Sequence, residues 1–204
     1  MTEALIGPNA IIQVADAIVR EFGRDHLSQI MHTAGIGHFM TDPPRHMVNE
    51  LDVVRLHRAV ASRLSLEEAR LVMWQAGENT ARYLLANRIP RLAQIMLKPL
   101  PAGLAARLLL VAISKHAWTF AGSSTFSYTL PAPVRISLEG SPLFAAPASQ
   151  SLAEAYFEAT FQTLFRALVS PRTRIITSGR ASSATRQDAQ SADAVCAFGL
   201  DWRS

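Results

Sequence analysis

From Pro8 to Phe120 the apolar residues of this chain recur at intervals of three and four, and from Thr125 onward they begin to alternate one in two. That change of period constrains the fold most, because a helix brings residues three and four apart onto one face and a strand those two apart. Ile11, Ile12, Ala15, Ile18, Val19 and Phe22 make a first helical stripe, with Pro8 in its first turn. A second, short helix spans 24–34 and is closed by Gly35 and Gly37, after which Asp42-Pro43-Pro44-Arg45 is a rigid connector. The spacing predicts a third helix over 48–63, and Ser65-Leu66-Glu67-Glu68 reads as a capping box that starts a fourth, running towards Ala86. Gly77 lies in the middle of that helix, where another backbone or a flat ligand comes close. A short helix over 90–97 and a longer one from Pro101 to about Phe120 follow, stopped by Gly122.

Thr125–Thr129 and Val134–Leu138 then alternate as a strand hairpin, 150–169 returns to helical spacing, and Arg174–Thr177 and Val195–Trp202 are extended. Residues 178–192 are small and polar and read as a mobile loop. Helices, a strand pair, one helix and a second strand pair predict one α+β domain over 1–204, with N-terminal helices on a small antiparallel sheet. A doubly wound parallel sheet needs regular alternation of strand and helix, which is absent.

Composition narrows the class. With 49% hydrophobic and 18% charged residues the chain has a thick apolar interior and is not disordered. The net charge is +4, but the arginines are dispersed along the whole sequence and not gathered in one patch, which argues against nucleic acid as a partner. A single cysteine, Cys196, excludes an internal disulfide and an all-cysteine metal site. It fits a reducing, cytoplasmic setting, and the N-terminus lacks the pattern of a signal peptide. Leu92–Ile113 is the most lipid-like stretch, but Lys98, Pro99, Pro101 and Arg107 interrupt it within the roughly 20 residues a spanning helix needs. No transmembrane segment is expected, peripheral contact with a membrane surface stays open, and exposed apolar helices point to a homodimer.

Familiar catalytic signatures are missing. No Gly-x-Gly-x-x-Gly follows a strand, no Gly-x-x-x-x-Gly-Lys occurs, and Gly35-Ile36-Gly37 sits where a helix stops. The six histidines form no His-Glu-x-x-His pattern, and Ser114, Ser123 and Ser124 have no nucleophile elbow. Glu67 with Glu68, and Glu154 with Glu158, belong to solvated helix faces. His38 and His46 flank the Pro43-Pro44 turn, either as ligands reaching into a cleft or as solvated loop residues. His116 ends an apolar helix with Trp118 and Phe120 following. It is either a core histidine bonded to a carbonyl or an imidazole that offers a lone pair to a metal beneath a flat ring.

Four segments carry a resemblance: Ile6-Gly7-Pro8-Asn9-Ala10, the Pro43-Pro44 turn before Met47-Val48-Asn49-Glu50, Arg88-Ile89-Pro90, and most specifically Lys115-His116-Ala117-Trp118-Thr119-Phe120-Ala121-Gly122-Ser123. With them the chain resembles the bacteriochlorophyll 4-vinyl reductase family from Ile6 to about Val169 and again at Cys196-Ala197-Phe198. The resemblance implies the ligand-binding fold shared by nitric-oxide signalling haem domains and vesicle-tethering subunits, with helices and an antiparallel sheet around an apolar cavity. It also implies a place in the magnesium branch of bacteriochlorophyll synthesis. There the family reduces the 8-vinyl group (4-vinyl in older ring numbering) or carries divinyl intermediates between enzymes. The family's tail usually bears two cysteines, whereas here Cys196 stands alone.

A reductase must receive hydride or electrons, and no nucleotide, flavin or cluster motif supplies them here, which favours a carrier or accessory factor with no intrinsic cofactor and no catalytic residue. The ligand implied is a Mg-porphyrin or chlorophyllide, and the partners are biosynthetic enzymes such as the chelatase and the methyltransferase. His116 would be axial to magnesium, with His38 or His46 as alternatives; Trp118, Phe120 and Trp74 would stack on or edge the ring, and Arg45 or Arg107 would pair a carboxylate. The competing expectations are a true 4-vinyl reductase using an external electron donor and a pigment-free protein-interaction module.

Overall fold

Short backbone signals fix where the helices begin and break in the computed structural model, which describes residues 3–131, 133–178 and 195–202. Helix α1 (Asn9–Thr33) is interrupted at Gly23, whose φ of 85° and ψ of 174° are not helical, so the two predicted helices abut at a residue that alone tolerates this geometry. Helix α2 (Glu50–Arg63) starts two residues later than the spacing predicts, because Val48–Asn49 (β2) pairs antiparallel with Leu5–Ile6 (β1). The Asn49 side chain then accepts from Leu51 N at 2.8 Å and caps the helix. Helix α3 (Leu66–Asn87) has the predicted capping box: Ser65 N donates to Glu68 Oε2 at 2.9 Å, and Glu68 N donates to Ser65 Oγ at 3.3 Å.

Helices α4 (Arg91–Leu97) and α5 (Ala102–Lys115) follow prolines, as expected. The predicted run of α5 to Phe120 is corrected: the helix ends at Lys115 and a 3₁₀ turn covers Ala117–Thr119. The reason is tertiary, since Gly7 N donates to Thr119 O at 2.7 Å and holds that turn against the N-terminus. A β-carbon at Gly7 would come within 2.8 Å of the same carbonyl oxygen.

Strands β3 (Thr125–Thr129), β4 (Val134–Glu139), β5 (Arg174–Ser178) and β6 (Val195–Asp201) make an antiparallel sheet in the order β3-β4-β6-β5. Ile136 lies opposite Phe198 and Leu138 opposite Cys196, so the apolar members of both central strands share one buried face. Helix α6 (Pro147–Leu168) covers that face and in turn packs on α3. The fold is therefore α+β as expected, with helices on a small antiparallel sheet. At the α3–α6 crossing a β-carbon on Gly77 would overlap the Tyr156 carbonyl oxygen and sit 2.9 Å from Ala159 Cβ. Of the two readings of Gly77, backbone or ligand, the neighbour is backbone. Thr160 Oγ1 donates across the crossing to Gly77 O at 3.1 Å. The segment read as a mobile loop, 178–192, lies outside the described residues apart from Ser178, which ends β5. Among the described residues no helix is long and apolar enough to cross a membrane.

Candidate functional site

A cleft of about 650 Å³ opens between α5 and the β3–β4 hairpin. Gly103, Arg107 and Val111 form one wall, and their four-residue spacing places them on one side of α5. Tyr128 and Leu130 at the end of β3, with Val134 at the start of β4, form the opposite wall, and Trp202 just after β6 contributes a second aromatic ring. Burial decides which strand residues face where: Val134 is buried and Arg135 exposed, as alternation along a half-covered strand requires. The cleft thus combines apolar walls, two aromatic rings and one guanidinium. Among the described residues its lining includes no carboxylate, imidazole or thiol. Apolar walls, aromatic rings and a cation suit a ligand with an apolar body and an acidic edge.

Only Arg107, of the residues predicted to bind a ligand, lines this cleft. Phe120 packs into a cluster of rings: it meets Phe126 edge-on at 5.8 Å and Phe161 at 6.3 Å, while Phe157 stacks on Phe161 at 6.1 Å. His116 and Trp118 are exposed on the turn itself, and Trp74 is half-buried on α3. Arg45 is exposed with its guanidinium 4.0 Å from Asp42. His46 is exposed, and exposed His38 lies 4.1 Å from the Phe39 ring in the turn at Gly37–Met40. The structure does not gather these side chains around one space.

Sequence patterning does not single out Tyr128 and Trp202 as ligand residues. For Tyr128 a signal exists, since its alternation with Phe126 puts both on one face of β3. Three buried polar groups belong to no predicted site, although Glu50 ends one of the segments that carry the resemblance. Glu50, at the start of α2, accepts from Ser141 Oγ at 2.6 Å and from Ser123 N at 3.2 Å. It thereby ties α2 to the turn at Gly122 and to the loop before α6. Tyr156 shares a hydrogen bond of 2.8 Å with Thr80, and burial pushes its hydroxyl up to about 12. His57 is fully enclosed by α2 and α6; desolvation lowers it to about 4 against an opposing hydrogen bond with the Ser149 backbone, and its Nδ1 has no partner.

Cys196 is buried in the sheet, and burial together with Glu154 and Glu158 pushes its thiol far up, so it remains protonated and is a poor metal ligand. Among the described residues no three His, Cys, Asp or Glu side chains converge to hold a metal ion.

No family model matches the chain. Two curated proteins do. The bacteriochlorophyll synthase 23 kDa chain of Cereibacter sphaeroides is 37% identical over 170 residues, covering 83% of this chain and 81% of that protein. The protein of the same name from Rhodobacter capsulatus is 36% identical over 173 residues, covering 85% of this chain and 79% of its own. The solved structure of a doubly substituted Tt H-NOX overlays 98% of this chain and 96% of that one, with a TM-score of 0.49 and 9% identity.

Proposed function

Because the chain belongs to the family of the bacteriochlorophyll synthase 23 kDa chains, we propose that it serves bacteriochlorophyll synthesis by holding a magnesium tetrapyrrole intermediate. In this reading it is a carrier or accessory factor for the enzymes that act on a divinyl porphyrin or chlorophyllide, the 8-vinyl reduction included. The chelatase and methyltransferase are the partners such a carrier would meet. Family membership carries the proposal, and the cleft beside α5 supports it. Tyr128 and Trp202 offer faces to a flat macrocycle, Val111, Leu130 and Val134 its apolar surroundings, and Arg107 a charge-assisted bond to a propionate. His116, axial in the resemblance, stands outside these walls, so binding is expected to survive its loss.

Titration of the purified protein with magnesium protoporphyrin, followed by absorbance, tests this. The wild type is expected to shift the Soret band saturably. Arg107→Ala should weaken binding roughly fivefold, the value of one charge-assisted contact in a solvated cleft, and Trp202→Ala should weaken it as well. His116→Ala should leave it unchanged. No saturable shift would overturn the proposal and leave a pigment-free interaction module. Conversion of divinyl to monovinyl substrate when an electron donor is added would instead make the protein the reductase that its resemblance names.

A further inference from the structure

Helix α4 buries none of its seven residues, yet three of them are large, apolar and well exposed: Leu92, Ile95 and Met96 are 69%, 65% and 63% exposed. Their spacing of three and one places them in a single outward stripe. The stripe is fixed rather than frayed, because Gln94 Nε2 donates to Leu85 O at 2.6 Å and to Ile89 O at 2.9 Å and anchors the opposite side of the helix. Helix α5 repeats the pattern with Leu104, Leu108 and Val111 exposed at four- and three-residue intervals, and Trp118 on the following turn is 66% exposed. Exposed apolar stripes on two successive helices mark an interaction site.

The stretch of chain that carries these helices is basic, with Arg82 at its start paired to Glu78 at 3.0 Å. From Asn79 to Leu138 the sequence has no Asp or Glu and has Arg82, Arg88, Arg91, Lys98, Arg107, Lys115 and Arg135. That segment therefore carries +7, and the rest of the chain, with 13 Lys and Arg against 16 Asp and Glu, carries −3. We propose that α4, α5 and the Trp118 turn form a docking face for an anionic lipid surface. In it the leucines, Ile95 and Met96 enter the acyl boundary and the flanking cations meet lipid headgroups.

Neither helix spans a bilayer, and none needs to: an interfacial helix lies in the plane of the membrane with its apolar side down and Lys and Arg at its edges. A second copy of the chain is the poorer occupant, since a two-fold axis through this face would set its cations against their own images. An anionic lipid surface supplies the opposite charge and the apolar depth together. The same α5 that presents Leu108 to this face presents Arg107 to the cleft, so the cleft mouth borders the docking face. The docking face does not rest on the pigment reading, and either can fail without the other.

Co-sedimentation of the purified full chain with vesicles is the test, using phosphatidylglycerol mixed with phosphatidylcholine in one arm and phosphatidylcholine alone in the other. The wild type is expected on the mixed vesicles, at least tenfold more tightly than on the neutral ones, with salt reducing the difference. A Leu92→Gln, Ile95→Gln, Met96→Gln triple variant, altered only at exposed positions, should keep its circular dichroism and lose at least tenfold in vesicle affinity. Lys98→Glu should lose roughly fivefold, on the anionic vesicles alone. Trp118 fluorescence should shift to the blue on binding, and Trp118→Phe should abolish that component. Equal partitioning onto both vesicles, or a folded triple variant that binds like the wild type, would overturn the proposal. So would a wild-type dimer that the triple variant abolishes without vesicle binding, which would give the face to a second copy.

Discussion

His57 shows what a single buried polar residue does to the whole equilibrium. Burial lowers it from 6.5 to about 4, so between those values the unfolded chain binds the proton that the folded chain refuses. Stability therefore rises with pH across this window. The contribution is complete above about pH 6.5, is lost as pH falls towards about 4, and amounts to roughly 3 kcal/mol in all. Urea denaturation of wild type and His57→Leu at a series of pH values isolates the effect, because titrations elsewhere cancel in the difference. The wild type should lose about 3 kcal/mol more than the variant between neutral pH and about pH 4, and parallel pH profiles would contradict the assignment. Nothing in the sequence flags His57, because its helix position gives its burial but not the absence of a partner for Nδ1. His116 is the opposite case, a histidine that the sequence singles out and the structure leaves exposed. Within one tight turn Phe120 packs on Phe126 while His116 and Trp118 are exposed, a division that the order of residue types does not reveal.

Elements are legible wherever a local pattern decides them. The capping box at Ser65, the break between the first two helices and the alternation in β3 and β4 each reflect interactions within a few residues, and each stands in the structure as the sequence predicts. Element ends decided by distant chain are not legible. The turn that cuts α5 at Lys115 depends on Gly7, and the late start of α2 depends on pairing with Leu5–Ile6. Two glycines separate helix propensity from helix contact. At Gly77 an added methyl gains about 1 kcal/mol of helix propensity but strikes the Tyr156 backbone, which cannot swing aside, so overpacking should win and Gly77→Ala should cost about 2 kcal/mol net. At Gly103 nothing lies within 4 Å of the added carbon, so Gly103→Ala should gain about 0.5 kcal/mol. Thermal melts of the two variants should shift Tm in opposite directions; shifts of the same sign would mean that α3 and α6 are free to separate where they now touch.

Across the whole molecule, the cleft and the basic apolar face are assembled from segments that the sequence keeps apart. Arg107 is one of two arginines that the sequence reading offers for a carboxylate, but its neighbours Tyr128 and Trp202 come from β3 and the end of β6, in a sheet whose order, β3-β4-β6-β5, no periodicity encodes. The charge asymmetry is present in the sequence, and it gains meaning only because α4 and α5 turn their apolar sides outward. If the cleft holds pigment and the face holds lipid, a macrocycle dissolved in a membrane would reach Arg107 without crossing bulk water. The two roles should then separate by mutation. Lys98→Glu, away from the cleft, should slow transfer of magnesium protoporphyrin from anionic vesicles to the protein roughly fivefold and leave its solution Kd unchanged. Trp202→Ala should raise the solution Kd and leave vesicle binding at the wild-type level. Stopped-flow absorbance with pigment-loaded vesicles measures the first and equilibrium titration the second. A Lys98→Glu transfer rate equal to wild type would mean that pigment reaches the cleft through water, with the membrane face serving only to place the protein.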